Sequence, residues 1–133
     1  MSVEGLPNDI VRFIRSCVHS VGQLEILLLL ESCEPIALTT AQINERLRSN
    51  IEAVEQRIAA LVRCNLAAPD SEEPNRYRYS PANDELRGNT RQLAELYRSY
   101  PTRIIDAIYS APDRMQLFSD AFRIKKDEER KDG

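Results

Sequence analysis

Two short amphipathic helical patterns, separated by only a few residues, constrain this chain more than any other feature. The first spans residues 39–48 and the second residues 51–63, and in each the apolar side chains recur at three- and four-residue steps. Ser49 and Asn50 fill the link, and their short polar side chains are suited to capping the second helix. Because so short a link forces the helices to share one core, the sequence predicts a helix-turn-helix unit.

The flanking segments predict one more helix before this unit and a β-hairpin after it. Ser20, followed by Gln23, has the form of a capping box, and the leucine-rich run over residues 24–30 indicates a helix packed on several sides. After the second helix, residues 66–68 and the alternating residues 76–79 predict two strands joined by a polar turn. Asn65 is placed to adopt the left-handed conformation that ends a helix.

Residues 38–80 resemble the winged helix-turn-helix of MarR-like bacterial transcriptional regulators. The likeness lies in the apolar spacing of the second helix and in the aromatic alternation of Tyr77 and Tyr79. Asn65 stands where those families usually carry glycine. The resemblance implies a DNA-binding transcriptional regulator of bacterial type, in which the second helix enters the major groove.

The predicted fold class is mainly α: a winged helix-turn-helix with a small β-hairpin wing and a C-terminal helical dimerisation extension. We expect an N-terminal helix within residues 1–19, centred on residues 7–18, and the winged unit over residues 20–81. Residues 82–126 form the extension, which Pro101 should kink near Tyr100. Residues 127–133 form a charged tail.

The long apolar stripe of residues 82–110, with a further amphipathic pattern over 113–126, favours a homodimer. A winged unit of this size has too little surface to cover so long a stripe, so a second copy is the expected partner. A two-fold dimer also sets two recognition helices against two DNA half-sites. The alternative is that these helices fold back on the first domain of the same chain.

The expected DNA contacts lie on the second helix, at the turn before it and on the hairpin. Gln56 can bond to adenine, and Arg57 to guanine or to a phosphate. Short polar groups at helix starts and arginines on the wing are suited to phosphates. The full set is Thr39, Thr40, Arg48, Asn50, Ala53, Gln56, Arg57, Arg76 and Arg78.

The charge of this unit leaves a second reading open. Residues 39–81 contain six arginines and six acidic residues, and the whole chain has a formal net charge of −3. Since positive charge supplies most of the affinity for bulk DNA, a neutral unit with acids at the wing tip is a weak general binder. The alternative function is a winged-helix protein–protein interaction module that does not bind DNA.

Composition argues against an enzyme, a metal site or a cofactor. There are 4 Gly and 1 His, so neither a glycine-rich phosphate loop nor a multi-histidine site can be assembled. The three cysteines, Cys17, Cys33 and Cys64, have no C-x-x-C spacing. Cys64 at a helix end could act as a redox-sensing thiol, although a free cysteine more often behaves as a small buried apolar residue.

The termini and the apolar runs indicate a cytoplasmic protein without a membrane segment. The N-terminus lacks the pattern of a signal peptide, and no purely apolar run is longer than the five residues 26–30. An odd number of cysteines with no framework spacing suits a reducing compartment.

Overall fold

The computed structural model describes residues 5–110, which form a mainly helical fold with a small antiparallel sheet of three strands. In chain order the elements are α1 (Asn8–Cys17), α2 (Val21–Cys33), β1 (Leu38–Thr39), α3 (Thr40–Leu47), α4 (Ile51–Arg63), β2 (Ala67–Pro69), β3 (Arg76–Tyr79), α5 (Asp84–Ser99) and α6 (Pro101–Tyr109). The predicted helix over 113–126 and the charged tail lie outside the described residues.

The sheet brings together segments that are far apart in the sequence. Its strand order is β1-β3-β2, with both pairings antiparallel. The predicted hairpin is confirmed, with Ala67 opposite Tyr79 and Pro69 opposite Tyr77. The first strand comprises only Leu38–Thr39, a strand not predicted above, and Ile36 just before it is 62% exposed.

Helix α2 lies at the centre of the core, as its leucine-rich sequence predicts. Leu24, Ile26, Leu27 and Leu30 are completely buried, and α2 contacts α3, α4 and β3. A helix that touches neighbours on several sides needs apolar residues around most of its circumference, which accounts for the run of leucines.

Helices α5 and α6 fold back onto α1 within the same chain, which is the alternative to dimerisation considered above. Leu93 of α5 and Ile104 and Ile108 of α6 are completely buried, in the same apolar cluster as the residues of α1 and α2. The side chain of Arg103 lies against Gly5. Because the stripe over 84–109 is covered in this way, it does not require a second copy, and the homodimer stays a prediction.

Pro101 separates the two C-terminal helices, as its ring and missing N–H predict. Helix α5 ends at Ser99, and Pro101 is the first residue of α6. Tyr100 between them has a non-helical backbone, and its N–H still bonds to the carbonyl of Leu96 at 2.7 Å. This break lets α6 turn and pack against α1.

Within residues 5–110 no single helix is both long enough and apolar enough to span a membrane. Helices α1 and α2 pass such a test only as a pair, and they meet at an angle of 103°.

Candidate functional site

A side chain caps the first turn of both α3 and α4, and the sequence predicts the cap of α4 from the link of Ser49 and Asn50. The hydroxyl of Thr39 accepts the N–H of Gln42, and the Gln42 side chain accepts the N–H of Thr39, so a complete capping box starts α3. Asn50 caps α4 by accepting the N–H of Ala53 at 2.8 Å. Thr39 retains its hydroxyl proton and Asn50 its NH₂ group, which leaves both residues able to donate to an anion.

Two non-glycine residues with positive φ set the ends of these helices. Asn65 has φ 64°, and the N–H of Leu66 bonds to the carbonyl of Leu61 at 3.0 Å, so the predicted left-handed ending of α4 is confirmed. Arg48 has φ 57° and ends α3 in the same way, a feature that sequence reasoning missed. This conformation directs the chain into the short link before Asn50.

One face of α4 is open to solvent along the whole helix. Its apolar residues Val54, Ile58 and Leu61 are buried against the body. The opposite face exposes the side chains of Glu52, Glu55, Gln56, Ala59 and Arg63. Ala53 is half-buried at its edge. The outward face therefore offers one amide, one arginine near its end and two carboxylates.

Arg57 does not lie on that open face. Its guanidinium lies against Gly22 of α2, where an added β-carbon would be 2.5 Å from Cζ. Its Nη1 also donates to the Ser49 hydroxyl at 3.2 Å. The side chain is thus drawn toward α2 and the α3–α4 link, and its predicted contact with a base requires it to leave this position.

The two arginines of β3 differ in how they are engaged. Arg76 forms an ion pair with Glu73, and its Nη1 lies 3.4 Å from the side-chain oxygen of Gln42. Arg78 is half-buried beside its strand partner Ala68. The positive charge expected from Arg76 is therefore partly neutralised within the chain.

The turn of the hairpin is built around Asp70. Its carboxylate accepts the N–H groups of Glu72 and Glu73 at 3.1 and 3.0 Å, an arrangement in which an aspartate side chain stabilises a turn. Glu72 and Glu73 are exposed and Asp70 is half-buried, and of the two exposed acids only Glu73 is paired, with Arg76. The hairpin tip is consequently acidic.

A groove of about 360 Å³ runs between α4 and the sheet. Its walls are mainly apolar, formed by Ile58, Val62 and Tyr77 among others, and Glu55 and Arg63 lie at its edges. Thr40 also lines it. This groove could not be predicted from the sequence, because its walls come from α3, α4 and both strands of the hairpin.

One contact between α5 and the hairpin was not predicted from the sequence. Arg87 donates to both carboxylate oxygens of Glu34, each at 2.9 Å, and its guanidinium lies 5.3 Å from the centre of the Tyr79 ring. The Tyr79 hydroxyl is buried near Thr90 without a well-aligned hydrogen bond. Since Tyr79 belongs to β3, this contact connects the hairpin with α2 and α5.

The carboxyl groups next to this contact have pKa values displaced in opposite directions. The hydrogen bond from Arg87 lowers the pKa of Glu34, whereas burial raises the pKa of Glu31. Burial also raises the pKa of the Tyr79 hydroxyl. These shifts follow from packing and pairing between helices.

The structure brings some of the expected contact residues close to one another. Thr39 lies opposite Arg76 in the sheet, and Arg48 and Asn50 flank the α3–α4 link. Gln56 is exposed on α4, whereas Arg78 is half-buried on β3. Within residues 5–110 no group of three or more His, Cys, Asp and Glu side chains converges on a metal-sized site.

No family model, curated protein or solved structure matches this chain.

Proposed function

We propose that this protein is a DNA-binding transcriptional regulator with a winged helix-turn-helix, in which α4 reads the major groove and the β2–β3 hairpin is the wing. The observation that carries this proposal is the open face of α4, which projects from a helix pair joined by only Arg48, Ser49 and Asn50. A helix held in this way presents the side chains of its first turns to a groove.

The order of the elements supports the same proposal. The succession α2, β1, α3, α4, β2 and β3, with β1 paired to the far strand of the hairpin, is the arrangement expected of a winged helix. It also agrees with the resemblance noted in residues 38–80. The proposal assigns base contacts to Gln56 and phosphate contacts to Arg48, Arg78 and the Asn50 amide.

The test is binding of the full-length chain to duplex DNA, first in a selection from a random-sequence pool and then in a salt series. We expect an enriched sequence and an affinity that falls as salt rises, with Arg48→Ala reducing the salt slope by about one phosphate contact. Gln56→Ala should relax the preference at one base position. Arg98→Ala on α5 is the matched control, since it removes an exposed arginine away from α4. Absence of binding to any duplex at low salt would overturn the proposal.

A second candidate, a module that binds a protein partner, is favoured by the groove beside α4. Ile58, Val62 and Tyr77 give it an apolar wall, and Glu55 and the acidic hairpin tip would attract a basic segment. This surface fits an amphipathic helix with lysine or arginine along its edge. Ala59→Arg would fill the groove and should abolish such binding. In the DNA assay described above, binding to duplex DNA favours the first candidate and its absence favours the second.

The homodimer is also part of the proposal, and one observation supports it. Tyr100 and Tyr109, at the two ends of α6, are 50% and 66% exposed, and they are the large apolar side chains that remain uncovered on that side of the described fold. Sedimentation equilibrium of the full chain at micromolar concentration tests the dimer, and a monomer there would refute it.

A further inference from the structure

Two of the three cysteines are brought together by the fold although 47 positions separate them in the sequence. Cys17 ends α1, and Cys64 directly follows α4. The Cys64 thiol donates to the carbonyl of Ser16 at 3.5 Å, so it lies beside the residue that directly precedes Cys17. Neither the spacing of these residues nor their local sequence indicates the pair.

The two thiols of the pair differ in their access to solvent. Cys17 is buried, with 8% of its surface exposed, whereas Cys64 is half-buried. Of the two, Cys64 is therefore the thiol that an oxidant in solvent reaches more easily.

We propose that Cys17 and Cys64 form a reversible intramolecular disulfide on reaction with a hydroperoxide, and that this disulfide links the end of α1 to the end of α4. Cys64 reacts first, because it is the more accessible thiol. Cys17 is the resolving thiol. This chemistry does not depend on what α4 binds.

The reaction consumes one hydroperoxide and forms one disulfide. The Cys64 thiolate attacks one peroxide oxygen, so that an S–O bond forms while the O–O bond breaks, and the hydroxide or alkoxide that leaves takes up the thiol proton as water or an alcohol. The Cys17 sulfur then attacks the Cys64 sulfur, the S–O bond breaks, and the hydroxyl leaves as water with the Cys17 proton. The two thiols lose two electrons in total, and the peroxide gains them.

Burial and the neighbouring thiol raise the pKa of Cys17 to about 12. A thiol that holds its proton so firmly is a poor first nucleophile, which agrees with its role as the second to react. Cys33 has no thiol neighbour in its contacts and has the Ser32 hydroxyl 4.0 Å from its sulfur. It should therefore not enter the disulfide, and replacing it leaves the pair intact.

The test uses the full-length Cys33→Ser variant, in which only the pair remains. After hydrogen peroxide we expect both thiols to disappear, the mass to fall by two hydrogens, a peptide linked through Cys17 and Cys64, and full recovery with dithiothreitol. Disulfide-linked dimers, addition of oxygen without cross-linking, or two persistent thiols would each overturn the proposal.

Two further variants assign the order of reaction and do not depend on the disulfide being stable. With Cys17→Ala in the Cys33→Ser background, the sulfenic acid on Cys64 has no resolving partner and should be trapped by dimedone. With Cys64→Ser in that background, Cys17 should remain a free thiol. Dimedone capture at Cys17 in the second variant would reverse the assigned order and contradict the mechanism.

Discussion

The guanidinium of Arg57 fills the space beside Gly22 that a β-carbon would occupy in any other residue. This contact joins α4 to the start of α2, and a second bond from Arg57 reaches Ser49 in the α3–α4 link. The arginine that sequence reasoning assigned to a base is therefore held against the body of the fold. Gly22 is the residue that makes this position available.

Gly22→Ala should displace the Arg57 guanidinium at little cost, because it is the far end of a flexible side chain. Alanine also favours a helix over glycine by up to about 1 kcal/mol. We expect the net change in the free energy of unfolding to be within about 1 kcal/mol of zero. In an Arg57→Ala background the gain should be larger, since nothing then occupies the space. Urea denaturation of the parent protein, the two single variants and the double variant measures this. An equal change in the free energy of unfolding from Gly22→Ala in both backgrounds would contradict the contact.

Asn50→Ala should destabilise the fold by about 1 kcal/mol, because the N–H of Ala53 loses its acceptor. Asn50→Asp keeps a side-chain acceptor at the same position and should retain most of the stability. Asn75→Ala, in the exposed hairpin turn, is the matched control and should have little effect. The free energy of unfolding in urea checks all three, and a loss at Asn75 equal to that at Asn50 would remove the cap as the explanation.

Glu34 is predicted to stabilise the fold in a pH-dependent way. Its hydrogen bond from Arg87 holds its folded-state pKa below the ordinary value of 4.5. The contribution is therefore complete above about pH 4.5 and is lost as the pH falls through the folded-state pKa. Glu34→Gln should lower the free energy of unfolding at neutral pH, and its difference from the parent protein should shrink in acid. A difference that is independent of pH would contradict this origin.

Glu31→Gln should have the opposite effect. Burial raises the folded-state pKa of Glu31 above 4.5, so the folded state binds the proton more tightly than the unfolded chain. Its charge therefore opposes folding above that folded-state pKa, and the penalty disappears as the pH falls below about 4.5. After allowance for solvent screening, the gain at neutral pH should be less than about 1 kcal/mol. Denaturation at neutral pH and near pH 4 measures it, and a loss of stability at neutral pH would refute the assignment.

Tyr79→Phe should leave stability unchanged or raise it slightly, within about 1 kcal/mol. The Tyr79 hydroxyl is buried without a well-aligned hydrogen bond, so little is lost when it is removed. The ring remains to contact the Arg87 guanidinium. Tyr77→Phe on the same strand is the control for a partly exposed tyrosine. A loss of several kcal/mol for Tyr79→Phe would mean that the hydroxyl makes a strong bond.

Local patterns predicted the elements well, and the reason is physical. The caps at Ser20, Thr39 and Asn50 and the left-handed ending at Asn65 each depend on residues three or four positions away, so the sequence displays them directly. The alternation of residues 76–79 predicted a strand for the same reason. The mainly helical fold with a small sheet follows from these local signals.

The candidate site was predicted less completely, because its side chains are positioned by distant neighbours. Arg57 depends on Gly22, and Arg87 on Glu34, 53 positions away. Exposure predicted from helical spacing cannot reveal that an arginine bends back over its own helix to reach a glycine. The folding of α5 and α6 onto α1 was likewise left open, since an apolar stripe does not specify whether its cover belongs to the same chain.

That intrachain cover determines the smallest piece of the protein that can be expected to fold. Ile10 and Ile14 of α1 share one apolar cluster with Leu93 and Ile104. A fragment trimmed to residues 20–81 would retain α4 and the hairpin but would leave part of α2 uncovered and prone to aggregate. Truncation studies should therefore keep α1, α5 and α6 together, since removing any one of them exposes apolar side chains of the others to solvent.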